Sequence, residues 1–295
     1  MRFQYLEPKT VKEACSLLSK YDGKSMVIAG GTDLMVKIKN KALGPEYVIE
    51  LEGIPKLDYI KFTKKNGLAI GALTKICSVE NSLVVKDNYP VLAYAAGMMG
   101  SMAIRNMATI GGNLCNAAPS AENAPGLLCF EAQLKIVGPK GERVNPITEF
   151  FVGPGKTALR KGEILVEIQV PPPKPGTNAI YFKHSPRGSI DLAIVGVAVV
   201  ATFDGDVVKD IKIGLGAVAP TPIRAVEAEA AVKGKKLTEA LIEKCAVTAA
   251  GEAKPISDVR GSAEYRKEMV AVYTRRALKS FISKRESIKT TGASP

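Results

Sequence analysis

The apolar and polar positions in the first quarter of the chain alternate as in a small α/β unit. Thr10 and Glu13 have the spacing of a capping box, and apolar residues then recur at helical spacing, at Val11, Ala14, Cys15 and Leu18. Short apolar runs predict two buried strands, at residues 25–29 and 47–51, and a helix between them at residues 33–39. This alternation predicts a first subdomain over residues 1–56.

Residues 57–175 follow with a longer series of predicted strands and helices. Apolar runs predict strands at residues 67–73, 132–137 and 164–170. Small apolar residues at 91–99 predict a buried helix, and Ser78 is a candidate N-cap for a helix before it. The Gly-Pro-Lys-Gly sequence at 138–141 is typical of a turn between paired strands. We therefore expect a second subdomain here.

A proline-rich stretch at residues 171–176 is the clearest boundary, because proline fits neither a helix interior nor a central strand. Beyond it the pattern predicts three strands, at residues 179–183, 192–203 and 207–218, and three helices, near residues 223–232, 238–252 and 262–284. Asp-Gly-Asp between the last two strands is typical of a hairpin. The predicted domains are 1–175 and 177–287, the second an antiparallel sheet backed by helices, with a loose tail at 288–295.

Two polar segments with glycine pairs carry the candidate chemistry. The first glycine segment consists of Ala29, Gly30, Gly31, Thr32 and Asp33. The second glycine segment consists of Thr109, Ile110, Gly111, Gly112 and Asn113. Glycine pairs allow close approach of a backbone, successive N–H groups bind anions, and Thr and Asn side chains add hydrogen bonds. Such pairs are also common in ordinary turns, so both interpretations stay open at this point.

Composition restricts the class of protein. The 295 residues are 46% hydrophobic and 24% charged, as in soluble globular proteins. No apolar run is long enough to span a bilayer and the N-terminus lacks a signal-peptide pattern, so we expect a cytoplasmic protein. Five widely spaced cysteines without a CxxC pair offer no zinc or iron–sulfur motif. Cys115 lies in the polar loop, where a thiol can line a ligand site, but it is interpreted as a small buried or incidental thiol. His184 is interpreted as a structural or surface-facing residue.

The net charge of +12 is compatible with an anionic ligand, an acidic partner or nucleic acid. The basic residues are dispersed along the chain, there is no tryptophan, and no cluster of aromatic and basic residues resembles a base-stacking surface. A solvated basic surface explains this charge at least as well, and no nucleic-acid partner is expected.

Several short motifs, taken together and in order, match a known family. The chain resembles the FAD-binding medium subunit of the molybdenum hydroxylases, the relatives of xanthine dehydrogenase and carbon monoxide dehydrogenase. The match extends to about residue 284. Its residues are the two glycine segments, Ile104-Arg105, Ala118-Pro119, Glu163-Ile-Leu165 before the proline run, residues 214–220, Pro222-Ile-Arg224, residues 258–262 and Tyr265-Arg266.

The resemblance implies an α+β protein. It implies a two-subdomain FAD-binding fold of the vanillyl-alcohol-oxidase type, followed by a C-terminal domain with a three-stranded antiparallel sheet and helices. It also implies that the two glycine segments surround the FAD pyrophosphate and that Glu122 holds the adenosine ribose hydroxyls. Leu165 and Lys183 are expected near the isoalloxazine. Met99 takes a flavin-lining position that is aromatic in some relatives, so their stacking contact is missing here.

The residues alone allow plainer interpretations of the same positions. Glu122 has the character of a solvated loop carboxylate, Met99 that of a helix core residue. Leu165 fits a core position and Lys183 a surface position equally well. The site assignments therefore rest on the resemblance.

The resemblance also implies a function. Such a chain is the electron-transfer subunit of a complex in which a large molybdopterin subunit oxidises substrate and a small subunit carries two 2Fe-2S clusters. Non-covalent FAD accepts their electrons and reduces NAD, a quinone or another acceptor. Molybdopterin and the clusters are expected only in those partner subunits, in a dimer of heterotrimers, with no membrane span.

Two other functions stay open from the sequence. One is a self-sufficient FAD-dependent oxidoreductase on the same fold, which needs its own proton donor near the flavin. The other is a basic protein that binds nucleic acid without a cofactor. The substrate of the complex and its electron acceptor are not encoded in any residue pattern of this chain.

Overall fold

The computed structural model describes residues 2–187 and 190–291, with side chains as far as residue 283. The chain begins with a three-stranded parallel sheet and two helices, β1 (Gln4–Leu6), α1 (Val11–Lys20), β2 (Ser25–Ile28), α2 (Leu34–Lys39) and β3 (Tyr47–Glu50). β3 is the central strand. Helix α1 begins as predicted because the Thr10 hydroxyl accepts a hydrogen bond from the Glu13 N–H. The first glycine segment lies where β2 ends and α2 begins.

The second subdomain is a five-stranded antiparallel sheet with short helices on one side. Its elements are β4 (Ile60–Thr63), β5 (Gly67–Gly71), α3 (Ile76–Asn81), α4 (Leu83–Asn88), α5 (Pro90–Gly97), α6 (Met102–Met107), α7 (Ile110–Cys115), α8 (Asn123–Cys129), β6 (Gln133–Gly138), β7 (Gly141–Pro146), β8 (Phe151–Gly153), β9 (Lys156–Thr157) and β10 (Ile164–Val170). The strand order is β4-β5-β10-β6-β7, and β8 pairs with β9 alone. The largest core lies between this sheet and its helices.

The C-terminal part is an antiparallel sheet backed by helices, as predicted. Its elements are β11 (Thr177–His184), β12 (Val195–Asp204), β13 (Val207–Gly216), β14 (Ile223–Arg224), α9 (Val226–Val232), α10 (Glu239–Glu252) and α11 (Ala263–Thr291). The strands follow one another in the sheet in chain order. The three long strands agree with the prediction, and the two-residue β14 adds a fourth.

Three local predictions differ from the structure. Ser78 lies inside α3, and Ser82 instead caps a helix, α4, by accepting from the Val85 N–H. Strand β14 occupies the start of the segment predicted as a helix at residues 223–232. Helix α11 is assigned through Thr291, into the segment expected to be a loose tail, and residues 292–295 of that tail lie outside the described residues.

Helix α8 joins the second subdomain to the C-terminal sheet. All its residues are buried. The Sγ of Cys129 lies 3.4 Å from the carbonyl oxygen of Ala198 in β12. At Gly214 in β13 a Cβ would overlap the carbonyl oxygen of Pro125, so the absence of a side chain permits this close packing. The C-terminal sheet therefore packs directly against α8. Among the described residues, no helix has the length and apolar character needed to cross a bilayer.

Candidate functional site

The first glycine segment presents unused backbone donors. Within the described part of the chain, the N–H groups of residues 30–33 have no hydrogen-bond acceptor. Gly31 has a φ of 68°, a left-handed conformation that glycine adopts without steric penalty. The Thr32 hydroxyl and the Asp33 carboxylate also make no hydrogen bond among the described residues. Successive free N–H groups at the end of a strand form a concavity that suits an anion.

The two glycine segments border the same region of the surface. A Cβ on Gly30 would overlap the carbonyl oxygen of Met107, two residues before the second glycine segment. Lys37 on α2 donates through Nζ to Oδ1 of Asn116, at 2.6 Å, just after that segment. The absence of a side chain at Gly30 thus lets the first subdomain pack directly on the second.

The second glycine segment forms the start of α7, and its backbone donors are already used. The N–H groups of residues 110 and 111 donate to carbonyl oxygens of Thr74 and Ala72. Those of residues 112 and 113 donate to the hydroxyl and carbonyl oxygens of Thr109. This differs from the anion-binding N–H groups that the sequence suggests for both segments. Only the first segment has them.

Gly111 is needed for packing within the protein. A Cβ at this position would lie 2.6 Å from the carbonyl oxygen and 2.7 Å from the Cβ of Ala72. Both distances are far below van der Waals contact. Substitution of Gly111 therefore perturbs the fold directly, and loss of ligand binding in such a variant does not identify a ligand contact.

Side chains of the second segment belong to a small polar network. The Nδ2 of Asn113 donates to the sulfur of Met99 at 3.5 Å. Asn123 donates through Nδ2 to Oδ1 of Asn113 at 3.2 Å. Met99 is buried in the same core as Ile110 and Leu165. The structure therefore brings Met99 and the second segment together, and it places Leu165 in their shared core.

Glu122 and Lys183 form a buried ion pair. The Nζ of Lys183 lies 2.9 Å from Oε1 of Glu122, and the two side chains are 1% and 5% exposed. The same Nζ donates to the carbonyl oxygen of Met98 at 2.8 Å. Lys183 lies on β11 and Glu122 directly precedes α8, so the pair also joins the C-terminal sheet to the second subdomain.

The pair lies close to the first glycine segment. Burial raises the pKa of Glu122 above its ordinary value, and the positive charge of Lys183 opposes this shift. The negative charge of Asp33 adds a smaller contribution to the rise in the pKa of Glu122. Burial and the charge of Glu122 together raise the pKa of Tyr181, a neighbour on β11.

Cys115 and His184 do not contribute reactive groups. Burial raises the pKa of the Cys115 thiol to about 12, which keeps it protonated at neutral pH. The ring nitrogens of His184 lie 2.8 Å and 3.1 Å from the hydroxyl oxygens of Tyr265 and Tyr273. This structural role agrees with the sequence interpretation of His184. Among the described residues, no group of three or more His, Cys, Asp or Glu side chains is arranged to hold a metal ion.

Sequence reasoning missed several groups at this site. The carbonyl oxygen of Met98 is a backbone atom that no motif reveals. Tyr181 is buried two positions before Lys183 on the same strand, and strand alternation puts both on one face. The alternation of side chains along this strand is therefore the sequence signal that could have identified Tyr181 as a neighbour of Lys183. Lys37 and Asn116 are separated by 79 positions, so only the fold brings them together.

Taken together, these groups have the chemistry that an extended anionic cofactor with a polar ring system requires. Free N–H groups suit a pyrophosphate, and a buried ammonium beside a carboxylate suits a polar heterocycle. The hydroxyl of Thr32 and the carboxylate of Asp33 are further partners for hydroxyl groups. This donor set fits FAD.

Comparison with known proteins gives the family. Residues 1–173 match the FAD binding domain in molybdopterin dehydrogenase, and residues 180–281 match the CO dehydrogenase flavoprotein C-terminal domain. The chain is 35% identical to the glyceraldehyde dehydrogenase medium chain of Sulfolobus acidocaldarius, over 94% of this chain and 97% of that one. It is 34% identical to the carbon monoxide dehydrogenase medium chain of Hydrogenophaga pseudoflava, over 94% and 96% respectively.

The fold agrees with a solved structure of the same family. Carbon monoxide dehydrogenase from Hydrogenophaga pseudoflava, in a form that lacks the Mo-pyranopterin moiety, superposes with a TM-score of 0.92 at 35% identity. The superposition covers 95% of this chain and 96% of the other. With both family regions matched and the glycine segments and ion pair in place, the chain belongs to the family of FAD-binding medium subunits of the molybdenum hydroxylases.

Proposed function

We propose that the chain binds FAD non-covalently between the first glycine segment and the Glu122–Lys183 pair. The observation that carries this proposal is the row of N–H groups at residues 30–33, which have no acceptor among the described residues and lie where Gly30 packs against Met107, next to the second glycine segment. Buried backbone N–H groups are nearly always paired within a folded protein, whereas these half-buried to exposed ones are accessible to a ligand. Their natural partner is the cofactor's pyrophosphate.

The remaining predicted residues support the same site. Ala29 anchors the first segment in the core of the first subdomain. Thr109, Ile110, Gly111, Gly112 and Asn113 form its other wall, with Met99 and Leu165 as apolar lining. The second segment contributes shape and side chains, since its N–H groups are used within the protein.

The ion pair revises the role of Glu122. Adenosine ribose and isoalloxazine lie at opposite ends of FAD, whereas Glu122 and Lys183 are in direct contact. In this proposal the two residues therefore contact the same end of the cofactor. We assign it to the isoalloxazine, because a buried ammonium is best used where negative charge develops. The exposed carboxylate of Asp33 is then the better candidate for ribose hydroxyls.

The chemistry of the site is electron transfer. FAD, when bound, supplies the capacity to accept and release electrons. Lys183 stabilises negative charge next to its own Nζ, and Glu122 keeps the charge of the pair balanced when no extra electron is present. The buried side chains of Met99 and Leu165 exclude water from their part of the site. The chain thus binds and orients a cofactor and adjusts its electrostatics.

We further propose that the chain passes electrons within a larger complex. The relatives are named as medium chains of dehydrogenases, which implies further subunits. In this proposal a small subunit with 2Fe-2S clusters donates electrons, a large molybdopterin subunit oxidises the substrate, and NAD, a quinone or another acceptor receives the electrons. The domain division at 1–175 and 177–287, and a dimer of heterotrimers, belong to the same proposal.

A single purification tests this function. The chain carries an affinity tag in its native host, and the purified material is analysed for FAD by acid release and chromatography, and for iron and molybdenum by mass spectrometry. We expect stoichiometric FAD, released without proteolysis, together with two further polypeptides that contain the metals. A purified chain that turns over a substrate by itself, without iron or molybdenum, contradicts the electron-transfer role. A chain without flavin contradicts the site.

A further inference from the structure

Arg266 belongs to a sequence motif that the FAD site does not use directly. It lies in the first turn of α11 and is 4% exposed. Nη2 donates to Oδ1 of Asp258 at 2.6 Å, and Nη1 donates to the carbonyl oxygen of Ala217 at 3.1 Å. Its Nε has no acceptor among the described residues. The buried charge of this guanidinium is therefore directed at two oxygens, of which one is a backbone atom of Ala217.

Ala217 has an unusual backbone conformation. It directly follows β13 and has a φ of 63°. A residue with a Cβ rarely adopts this left-handed conformation, because the Cβ crowds its own backbone. Such a conformation persists only where surrounding contacts enforce it. The hydrogen bond from Arg266 to the Ala217 carbonyl is one such contact.

The conformation of Ala217 directs its N–H across to the second subdomain. That N–H donates to the carbonyl oxygen of Pro119 at 2.6 Å. Pro119 lies in the loop that leads to Glu122, three positions away. Beside it, a Cβ on Gly216 would lie 2.9 Å from Cγ of Pro125, so the end of the sheet also fits closely against the first turn of α8. A continuous series of contacts thus runs from Arg266 through Ala217 and Pro119 to Glu122.

We infer that Arg266 is a positioning residue for the FAD site. It holds Ala217 in the left-handed conformation, Ala217 holds the Pro119 carbonyl, and the loop then places the Glu122 carboxylate against Lys183. The C-terminal motif at residues 258–266 therefore acts on cofactor binding in the other domain. This inference rests on the proposed FAD site.

The test compares three variants of the full chain by equilibrium titration with FAD, alongside urea unfolding of the FAD-free protein. Arg266→Lys keeps the charge but loses the forked geometry. We expect it to bind FAD about tenfold more weakly, as for loss of one charge-assisted hydrogen bond. The control is Arg260→Lys. Arg260 is another partner of Asp258, but the Arg260 side chain is 44% exposed, and we expect this variant to bind FAD with unchanged affinity.

Rescue separates positioning from general stability. Glycine adopts a left-handed conformation without the help of Arg266. We therefore expect Ala217→Gly, added to Arg266→Lys, to restore FAD affinity to within about threefold of wild type. A role of Arg266 in packing alone predicts no such rescue. If Arg266→Lys does not fold, Arg266→Gln, which avoids an unpaired buried charge and also loses the fork that reaches Ala217, takes its place, with the same expected weakening and the same rescue.

The outcomes are distinct. Unchanged FAD affinity in a folded Arg266→Lys or Arg266→Gln variant overturns this inference and leaves the FAD site intact. Weakened affinity that Ala217→Gly does not restore also overturns it. A wild-type chain that does not bind FAD overturns the proposed function, and this inference with it. Weakening in the first variant with recovery in the double variant supports it.

Discussion

The buried pair of Lys183 and Glu122 yields a prediction that separates stability from cofactor binding. Lys183→Met removes the ammonium and keeps most of the apolar stem. Glu122, which is 5% exposed, then has no cation at 2.9 Å. Removal of one partner of a buried ion pair generally destabilises a protein by about 3–5 kcal/mol.

Protonation of Glu122 limits this loss. A carboxyl with an ordinary pKa of 4.5 is protonated at pH 7 at a free-energy cost of about 3.4 kcal/mol, at 1.36 kcal/mol per pKa unit. Burial already raises the pKa of Glu122, so the cost is smaller. We expect Lys183→Met to lower the free energy of unfolding by about 2–3 kcal/mol.

A double variant completes the comparison. Lys183→Met with Glu122→Leu removes both charges, and uncharged residues of similar volume can replace a buried pair with little loss of stability. We expect this double variant to recover most of the unfolding free energy that Lys183→Met alone loses. Its affinity for FAD stays at least about tenfold below wild type, because the polar partners of the cofactor are gone.

The assays are urea unfolding of the FAD-free chain at pH 7 and equilibrium titration with FAD. Lys279→Met is the matched control, since Lys279 lies 2.7 Å from Glu239 but the side chains are 46% and 76% exposed. It should change neither quantity appreciably. Equal destabilisation in the single and double variants of the buried pair refutes the electrostatic coupling. Wild-type FAD affinity in the double variant refutes a role for the pair in binding.

Two further predictions concern other parts of the chain. Gly30→Ala places a Cβ on the Met107 carbonyl, so we expect this variant to lose both stability and FAD binding. The control is Gly251→Ala in an open helical position, which should raise the free energy of unfolding in urea by up to about 1 kcal/mol. Normal FAD binding by Gly30→Ala contradicts the contact. Arg143 holds the pKa of Glu163 below 4.5, so this pair stabilises the fold above that pH and less as pH falls through the lowered pKa. Glu163→Gln should therefore lower the free energy of unfolding by about 1–2 kcal/mol at pH 7 and by progressively less as the pH falls through the lowered pKa, and a loss that does not change with pH would count against it.

Much of the fold could be predicted from the sequence, because long apolar runs and helix caps depend only on residues that are close together in the chain. The strands at residues 164–170 and 207–216 and the Thr10 cap follow from periodicity and side-chain chemistry. Strand β14 is too short to leave a periodic signal, and it exists because β13 is there to pair with it. Ser78 and Ser82 lie four positions apart in the same stretch, and only the backbone geometry distinguishes the residue inside α3 from the N-cap of α4.

The site was less accessible to sequence reasoning. The glycine pairs look alike in the sequence, yet among the described residues the N–H groups of the first have no acceptor and those of the second donate within the protein. Gly111 is glycine because Ala72 is beside it, a contact between distant positions. The Glu122–Lys183 contact spans 61 positions and joins two domains, so no spacing rule could show it. The resemblance to the family identified the candidate site residues, and the fold shows which of them are in contact.

The most direct measurement is hydrogen–deuterium exchange of the backbone amides with and without FAD. Residues 30–33 have free N–H groups among the described residues, whereas residues 110–113 already donate within the protein. The account predicts that saturating FAD strongly protects the amides of residues 30–33 and changes those of residues 110–113 much less. Equal protection of both segments, or none at residues 30–33, would contradict the claim that the first glycine segment binds the pyrophosphate.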